Sequence, residues 1–195
     1  MKTFKSLLLA TTFVCLLGVS SCGKTQMDET AKLPPATHIG ANTFGCLYNG
    51  LVFTPAKSGA FNTIPEGDPI KVLGYEFNSK KIDAVRWGRT TNIFYIWLFL
   101  YKFESTGTYI LNEGIFHNTS MQPAHSYIIC RAVSPTTGQY KMYSSYENSG
   151  EIVITYRNDS GIFSGTFHAT LREENGTETV QITDGRFDIN PKTLE

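Results

Sequence analysis

Apolar and polar residues alternate along most of the chain after residue 43. The clearest case runs from Phe163 to Leu171, where odd-numbered positions are apolar or small and even-numbered positions are polar. This period of two predicts a β-strand with one face in the core and one face in water. Rougher patterns of the same kind predict strands at 44–48, 51–54, 70–77, 82–87, 93–103, 109–112, 127–133, 140–143, 152–157, 179–183 and 186–189. Apolar residues do not recur at spacings of three and four residues in this part of the chain, so we predict no helix there.

Turn residues between these patterns indicate antiparallel pairing. Asn49-Gly50 and Asn175-Gly176 are pairs that accept positive φ in two-residue hairpin turns. Residues 158–161 and Asp184-Gly185 suit slightly longer turns. The sequence therefore predicts an all-β fold, an antiparallel β-sandwich or a curled barrel built from hairpins. It does not choose between the two.

The predicted strand at 93–103 is apolar on both faces. Its even-numbered positions from 94 to 100 are mostly aliphatic, and we expect them to face the main core. The odd-numbered positions are aromatic and include Tyr95, Trp97 and Tyr101. We expect this aromatic face either to pack beneath another layer or to line a groove for a ligand, because Tyr and Trp tolerate half-wet positions.

The N-terminus has the pattern of a secretory signal. Lys2 and Lys5 precede an apolar stretch at 7–17 that is too short to span a bilayer, and Val19-Ser20-Ser21-Cys22 closes it. These last four residues resemble the lipobox of bacterial lipoproteins. We therefore expect residues 1–21 to be a signal peptide and Cys22 to be the first residue of the mature protein, carrying lipid. The alternative is an ordinary signal peptide with an accidental cysteine.

Composition predicts one domain behind a spacer. Residues 22–42 are polar and then rich in Pro and small residues without an apolar period, which indicates a flexible tether. Residues 43–195 are long enough for a single β domain with its own core. Removing the signal takes away Lys2 and Lys5 and leaves 15 basic and 17 acidic side chains. This charge does not favour a nucleic-acid partner.

Two cysteines remain inside the predicted domain, Cys46 and Cys130. Disulfides form in an oxidising envelope, so these residues are a candidate pair. Two buried free thiols are the alternative.

The chain shows no motif of a known catalytic, metal or cofactor site. His38, His117, His125 and His168 do not have zinc-ligand spacing, and Asp184 with Asp188 is explained by a turn more simply than by a calcium site. We therefore predict no catalytic residue, no metal and no cofactor.

Two segments of the chain are LPPATHIGANTFGCLYNGLVF at residues 33–53, and GIFSGTFHATL followed by VQITDGRFDI near the C-terminus. These segments resemble a family of Bacteroidota lipoproteins of unknown function. The resemblance implies a Gram-negative envelope lipoprotein with a β-rich domain, and it brings no catalytic residues. Asp28-Glu29 after Cys22 matches a surface-export signal of that phylum in part. We expect an outer-membrane lipoprotein, on the cell surface or on the periplasmic face.

These observations favour a non-enzymatic binding or accessory protein, held to the membrane by its lipid. A glycan is one candidate ligand because aromatic faces stack on sugar rings, and Tyr95, Trp97 and Tyr101 are the candidate residues for it. Tyr140, Tyr143 and Tyr146 are a second candidate cluster. The alternatives are an envelope hydrolase with an unrecognised carboxylate site and a structural partner of a larger envelope protein complex.

Overall fold

The computed structural model describes residues 32–57, 68–87, 93–115 and 124–194. These ranges contain strands and connections but no helix, which confirms the predicted all-β class. Consequently no helix in the described part of the chain could cross a membrane. The strands are β1 (Thr43–Tyr48), β2 (Leu51–Phe53), β3 (Ile70–Tyr75), β4 (Ser79–Trp87), β5 (Ile93–Leu100), β6 (Gly107–Ile110), β7 (Tyr127–Val133), β8 (Tyr140–Ser144), β9 (Gly150–Arg157), β10 (Phe163–Glu173) and β11 (Thr179–Ile189).

The strands pair in the order β2-β1-β11-β10-β8-β7-β5-β4-β3, and every strand pair is antiparallel. β10 is shared: its first part pairs with β9, which carries β6, and its last two residues pair with β8. The sheet is not closed into a barrel, and its two halves face each other as in a β-sandwich. Rings from opposite halves meet inside, with Phe53 and Phe94 centroids 4.6 Å apart and Phe103 and Phe163 centroids 5.0 Å apart.

β5 supplies the centre of this core. Its even-numbered residues Phe94, Ile96, Leu98 and Leu100 are all buried in the main apolar cluster. The prediction that this face meets the core is confirmed. The odd-numbered residues consequently lie on the outer side of the sheet.

One of the predicted two-residue turns forms and the other does not. Asn49 and Gly50 both have positive φ, +45° and +81°, and they join β1 to β2 as a tight hairpin. The prediction for Asn175-Gly176 is wrong. There the connection runs from Glu173 to Thr179, and the Gly176 amide donates to the Glu173 carbonyl without positive φ at either turn residue. Because this loop is longer than two residues, it does not need two consecutive residues with positive φ.

Asp184-Gly185 is a β-bulge inside one long strand, and the predicted turn between two strands is wrong. Asp184 has a φ of +52°, and the pairing of β11 shifts register at this point on both sides. A Cβ on Gly185 would lie 2.5 Å from the Phe167 carbonyl oxygen. A bulge therefore bends the strand and lets it continue, where a turn would have ended it.

The end of the predicted tether is bonded to the sheet. Asp188 in β11 is buried, and its carboxylate accepts hydrogen bonds from Thr37 Oγ1 (2.6 Å), Ser164 Oγ (2.7 Å) and the backbone amides of residues 39–41 (2.9–3.2 Å). Residues 37–41, which the composition assigns to the tether, thus belong to the folded unit. Residues 22–31 lie outside the described part of the chain.

The β3–β4 hairpin has an unusual tip. Phe77 and its neighbour Asn78 both have positive φ, +54° and +53°, and Ser79 N donates to Glu76 O across the turn. Asn adopts this conformation readily, whereas a bulky aromatic residue rarely does. The Phe77 side chain is 70% exposed, so burial in the fold does not compensate for the backbone strain.

We expect Phe77→Asn to raise the free energy of unfolding by about 1 kcal/mol, because Asn tolerates the left-handed conformation. Urea unfolding followed by circular dichroism measures this change. Ile110→Asn is the matched control, since Ile110 is also exposed but has negative φ. A Phe77→Asn protein that is no more stable than wild type would contradict the strain.

Candidate ligand-binding site

The outer side of β4, β5 and β7 carries a depression of about 490 Å³. The register brings its residues together, because Asp83 pairs with Trp97 and Lys71 on its two sides, and Arg131 pairs with Tyr95. Its lining residues combine aromatic, aliphatic and charged groups: Asp68, Lys71, Asp83, Val85, Trp87, Ile93, Tyr95, Trp97 and Arg131. Two of the three predicted ligand-face residues, Tyr95 and Trp97, are therefore in one site.

The Trp97 ring is covered on its flat faces. The Tyr95 ring stacks on it with centroids 4.5 Å apart and an interplanar angle of 15°, and Lys81 Nζ lies 4.4 Å from its centroid. Lys81 pairs with Phe99, the next outward residue along β5, which places it on the side of Trp97 away from Tyr95. The rings thus offer their edges to a ligand. The structure does not offer the open Trp97 face that sugar stacking would use.

Tyr101 lies away from the depression, towards the other end of β5. Lys102 Nζ is 5.4 Å from its ring centroid, and its amide donates to Ser126 Oγ (3.0 Å). Between it and Trp97, Phe99 is buried with Tyr127 and Ile129 in a second apolar cluster. The aromatic face is therefore divided, with a packed middle and a depression at one end.

Asp83 is a partly desolvated carboxylate in the depression. Burial raises its pKa, and the opposing effect of Lys81 does not cancel this. Lys81 Nζ lies 3.2 Å from Asp83 Oδ1 and forms an ion pair with it. A carboxylate has about four acceptor positions, so Asp83 retains hydrogen-bonding capacity for a ligand beside Lys81.

Trp87 and Arg131 supply donors at the same place. Trp87 Nε1 is buried and has no acceptor among the residues that the structure describes. Such an orphan donor is costly, since buried polar groups are normally paired. Arg131 donates to the Ile93 carbonyl (2.7 Å) and its guanidinium stacks over the Tyr140 ring, which fixes it at the rim. Sequence reasoning missed Asp83, Trp87 and Arg131, because only the cross-strand register brings them to Tyr95.

Tyr95 forms one side of the depression, and its side chain is uncharged. Burial raises its pKa to about 12, and its hydroxyl lies 3.2 Å from Met142 Sδ as a donor. At neutral pH the depression thus offers donors from Trp87 and Arg131, acceptors from Asp83, and aromatic edges. This combination can hydrogen-bond and pack a polar organic ligand.

A second polar cluster, around Tyr143 and Glu178, has no character of a catalytic site. The Tyr143 hydroxyl donates to Glu178, Ser134 Oγ donates to the same carboxylate, and Lys141 Nζ pairs with it at 3.5 Å. The Tyr143 hydrogen bond lowers the pKa of Glu178 to about 2, although burial opposes this. Burial and Glu178 raise the pKa of Tyr143. Near neutral pH Glu178 is therefore ionised and Tyr143 is protonated, and neither changes its protonation state, which suits a structural role.

Cys46 and Cys130 are buried in the same core cluster as free thiols. Burial raises the pKa of both, and in Cys130 the nearby Cys46 raises it further. Neither thiol is a reactive thiolate at neutral pH. The disulfide between them stays a prediction.

The histidines that the structure describes have separate surroundings. His38 stacks on Tyr156, His125 Nε2 contacts the Glu113 carbonyl at 2.8 Å, and His168 is exposed on β10. His117 lies outside the described residues. In the ranges that the structure describes, no three His, Cys, Asp or Glu residues cluster at metal-binding distance.

No protein-family model matches the chain, and comparison with curated proteins and with solved structures found no similar protein. The resemblance to Bacteroidota lipoproteins and the lipid on Cys22 stay predictions.

Proposed function

We propose that the protein is a lipid-anchored, non-enzymatic binding protein of the bacterial envelope, and that its depression on β4, β5 and β7 binds a saccharide. The observation that carries the ligand proposal is the orphan Trp87 Nε1, a buried donor that lines the same depression as the Asp83 carboxylate. Sugar hydroxyls both donate and accept hydrogen bonds, so different hydroxyls of one saccharide can accept from Trp87 and donate to Asp83.

The aromatic rings support the same ligand class in a different way from the sequence expectation. Because Tyr95 and Lys81 cover the flat faces of Trp97, a sugar would contact ring edges and the aliphatic Val85 and Ile93. Hydrogen bonds would then supply most of the specificity. We accordingly propose hydrogen-bonded recognition without face-on stacking.

Lipid anchoring supports the envelope location in this proposal. The lipobox-like residues before Cys22 favour it, and two or three acyl chains make attachment effectively permanent, whereas one chain binds only marginally. The anchor would keep the depression close to the lipid surface, within the length of the tether.

The ligand proposal is tested by screening the protein on an array of neutral and charged oligosaccharides, followed by tryptophan fluorescence titration with those that bind. We expect Trp87→Phe to weaken binding by about tenfold, the equivalent of one hydrogen bond from a buried donor. Tyr101→Leu is the control, because Tyr101 lies outside the depression. An array without binding, or a Trp87→Phe protein with wild-type affinity, would refute the saccharide.

An envelope hydrolase is the second candidate, favoured by one observation. Asp68 and Asp83 line the same depression, and burial raises the pKa of Asp83, as expected for a general acid. The Asp83→Asn variant separates the two proposals. In a binding protein it changes affinity and no product forms from bound saccharide, whereas in a hydrolase the wild type releases product and the variant retains binding.

A further inference from the structure

The exposed Phe77 is held firmly at one end of the sandwich. Asn78, its neighbour in the turn, accepts a hydrogen bond from Phe103 N (3.0 Å) and donates from Nδ2 to Phe103 O (2.9 Å). Phe103 itself is buried against Phe163 at the start of β10. The tip is thus fastened to the core, and it presents Phe77 in a fixed direction.

The backbone conformation of Phe77 costs folding free energy, and the burial of its side chain does not offset this cost. Its positive φ is unfavourable for an aromatic residue, and with 70% of its surface exposed it buries little apolar area. Strain at a site that the rest of the structure holds in place points to a role outside the fold. The side chain is therefore available to a surface beyond this chain.

The surroundings of Phe77 suit a lipid surface better than a protein partner. Glu76, Asn78, Lys80 and Lys102 are its neighbours in the hairpin and at the end of β5, so no broad apolar patch surrounds it. Protein interfaces centre on contiguous apolar patches. At a bilayer interface, a single aromatic side chain enters while charged groups remain among the lipid headgroups.

The N-terminal segment passes the same end of the molecule at Gly40, and from there its residues 33–36 run back along β1, with Pro34 against Gly45. Gly40 packs against Ile162 in the β9–β10 turn, and Arg157 beside that turn donates to the Glu104 carbonyl, next to Phe103. Only the residues between Cys22 and Lys32 separate the predicted lipid from the described chain. A chain of ten residues spans at most about 35 Å. The lipid surface is consequently within reach of the tip.

We propose that Phe77 is a second membrane contact, and that it inserts into the lipid surface to which Cys22 is attached. This inference rests on the lipid anchor of the proposed function. One aromatic side chain binds a bilayer weakly by itself, but a tethered protein already has a high effective concentration at the surface. The Phe77 contact therefore sets the orientation of the protein on the membrane, and it does not need to supply the membrane affinity.

That orientation has a consequence for the depression. Trp87 and Ile93 lie at the ends of β4 and β5 that are far from the tip, and Ser79 and Leu100 lie near it. Eight residues of strand correspond to roughly 25 Å. With Phe77 in the lipid, the depression would lie at the end of the sandwich far from the membrane, open to soluble or surface-bound ligands.

The test uses the lipidated full chain in vesicles of phosphatidylethanolamine and phosphatidylglycerol that contain dibrominated phosphatidylcholine, which quenches tryptophan at the interface. Phe77→Trp is the probe, and Ile110→Trp is the control, because Ile110 is also exposed but lies on β6. The quantity compared is the quenching of each variant in excess of that of the wild type. We expect this excess to be at least three times larger for Phe77→Trp than for Ile110→Trp.

Flotation of the same vesicles separates the two proposals. If the protein floats and Phe77→Trp is quenched no more than Ile110→Trp, the membrane contact is wrong and the anchor stands. If the wild-type protein does not float, both fall. A third outcome is that Phe77→Trp is not quenched in vesicles but is protected from aqueous acrylamide on intact cells. This outcome would assign a protein partner to Phe77 and would also overturn the membrane contact.

Discussion

Asp188→Ala is expected to lower the free energy of unfolding by about 3 kcal/mol. The substitution leaves the Ser164 hydroxyl, the Thr37 hydroxyl and the backbone amides of residues 39–41 without their acceptor. A buried donor that loses its partner costs about 1–3 kcal/mol, and water can reach part of this segment and reduce the total. Urea unfolding followed by circular dichroism measures the loss.

The same carboxylate predicts a loss of stability in acid. Burial would raise the pKa of Asp188, but hydrogen bonds from Thr37, Ser164 and the amides of Ala41 and Gly40 outweigh it and lower the pKa to about 2. Because the folded pKa lies below the unfolded value of about 3.9, the contribution is complete above pH 4 and declines as the pH falls towards 2. It amounts to about 2 kcal/mol.

Two variants test whether the hydrogen bonds of Asp188 are responsible. Asp188→Asn keeps the shape and one acceptor oxygen, so its loss should be smaller than that of Asp188→Ala, and the acid-dependent part should disappear. Asp159→Ala removes an exposed carboxylate in the β9–β10 turn and should leave stability within about 0.5 kcal/mol. An Asp188→Ala protein as stable as Asp159→Ala would show that the segment is not held by this residue.

Cys22→Ser is expected to abolish incorporation of radiolabelled palmitate and to move the protein out of the washed membrane fraction. Serine has no thiol for the lipid, and each buried methylene of an acyl chain contributes about 0.8 kcal/mol to membrane binding. Losing two or three chains removes nearly all of the affinity, while the Phe77 contact alone is weak. Fractionation with an alkaline wash, followed by immunoblotting, measures the change.

Cys15→Ser is the matched control, because Cys15 lies in the same predicted signal and is removed with it. It should leave both palmitate labelling and fractionation as in the wild type. Membrane association that survives Cys22→Ser would overturn the lipid anchor. Loss of labelling in Cys15→Ser as well would indicate damage to the signal and call for a different cysteine substitution, such as Cys22→Ala.

Local sequence signals predicted the strands well, because a period of two needs only neighbouring residues. The strand at 127–133 was predicted with its exact bounds, and Asn49-Gly50 formed the turn that its φ preferences demand. Asp184-Gly185 misled the prediction, because the same residues serve a bulge when both neighbouring strands continue past them. Local composition does not contain that information.

The N-terminal segment and the depression depend on contacts between distant residues. Thr37 and the amides of residues 39–41 form no apolar period, and Asp188, which holds them, lies about 150 residues away. Similarly, parity placed Tyr95 and Trp97 outside, but the pairing of β4, β5 and β7 brought Asp83 and Arg131 to them. The sequence alone showed which residues faced outward, but it did not show which residues of other strands lie next to them.

The pairing of β1 with β11 has a consequence for biogenesis. The first strand to be synthesised finds its partner only when the last one emerges, so the native topology cannot form on a partial chain. A polypeptide with this arrangement therefore stays without its native fold until β11 has been synthesised. Until then its unpaired strand edges need shielding by chaperones.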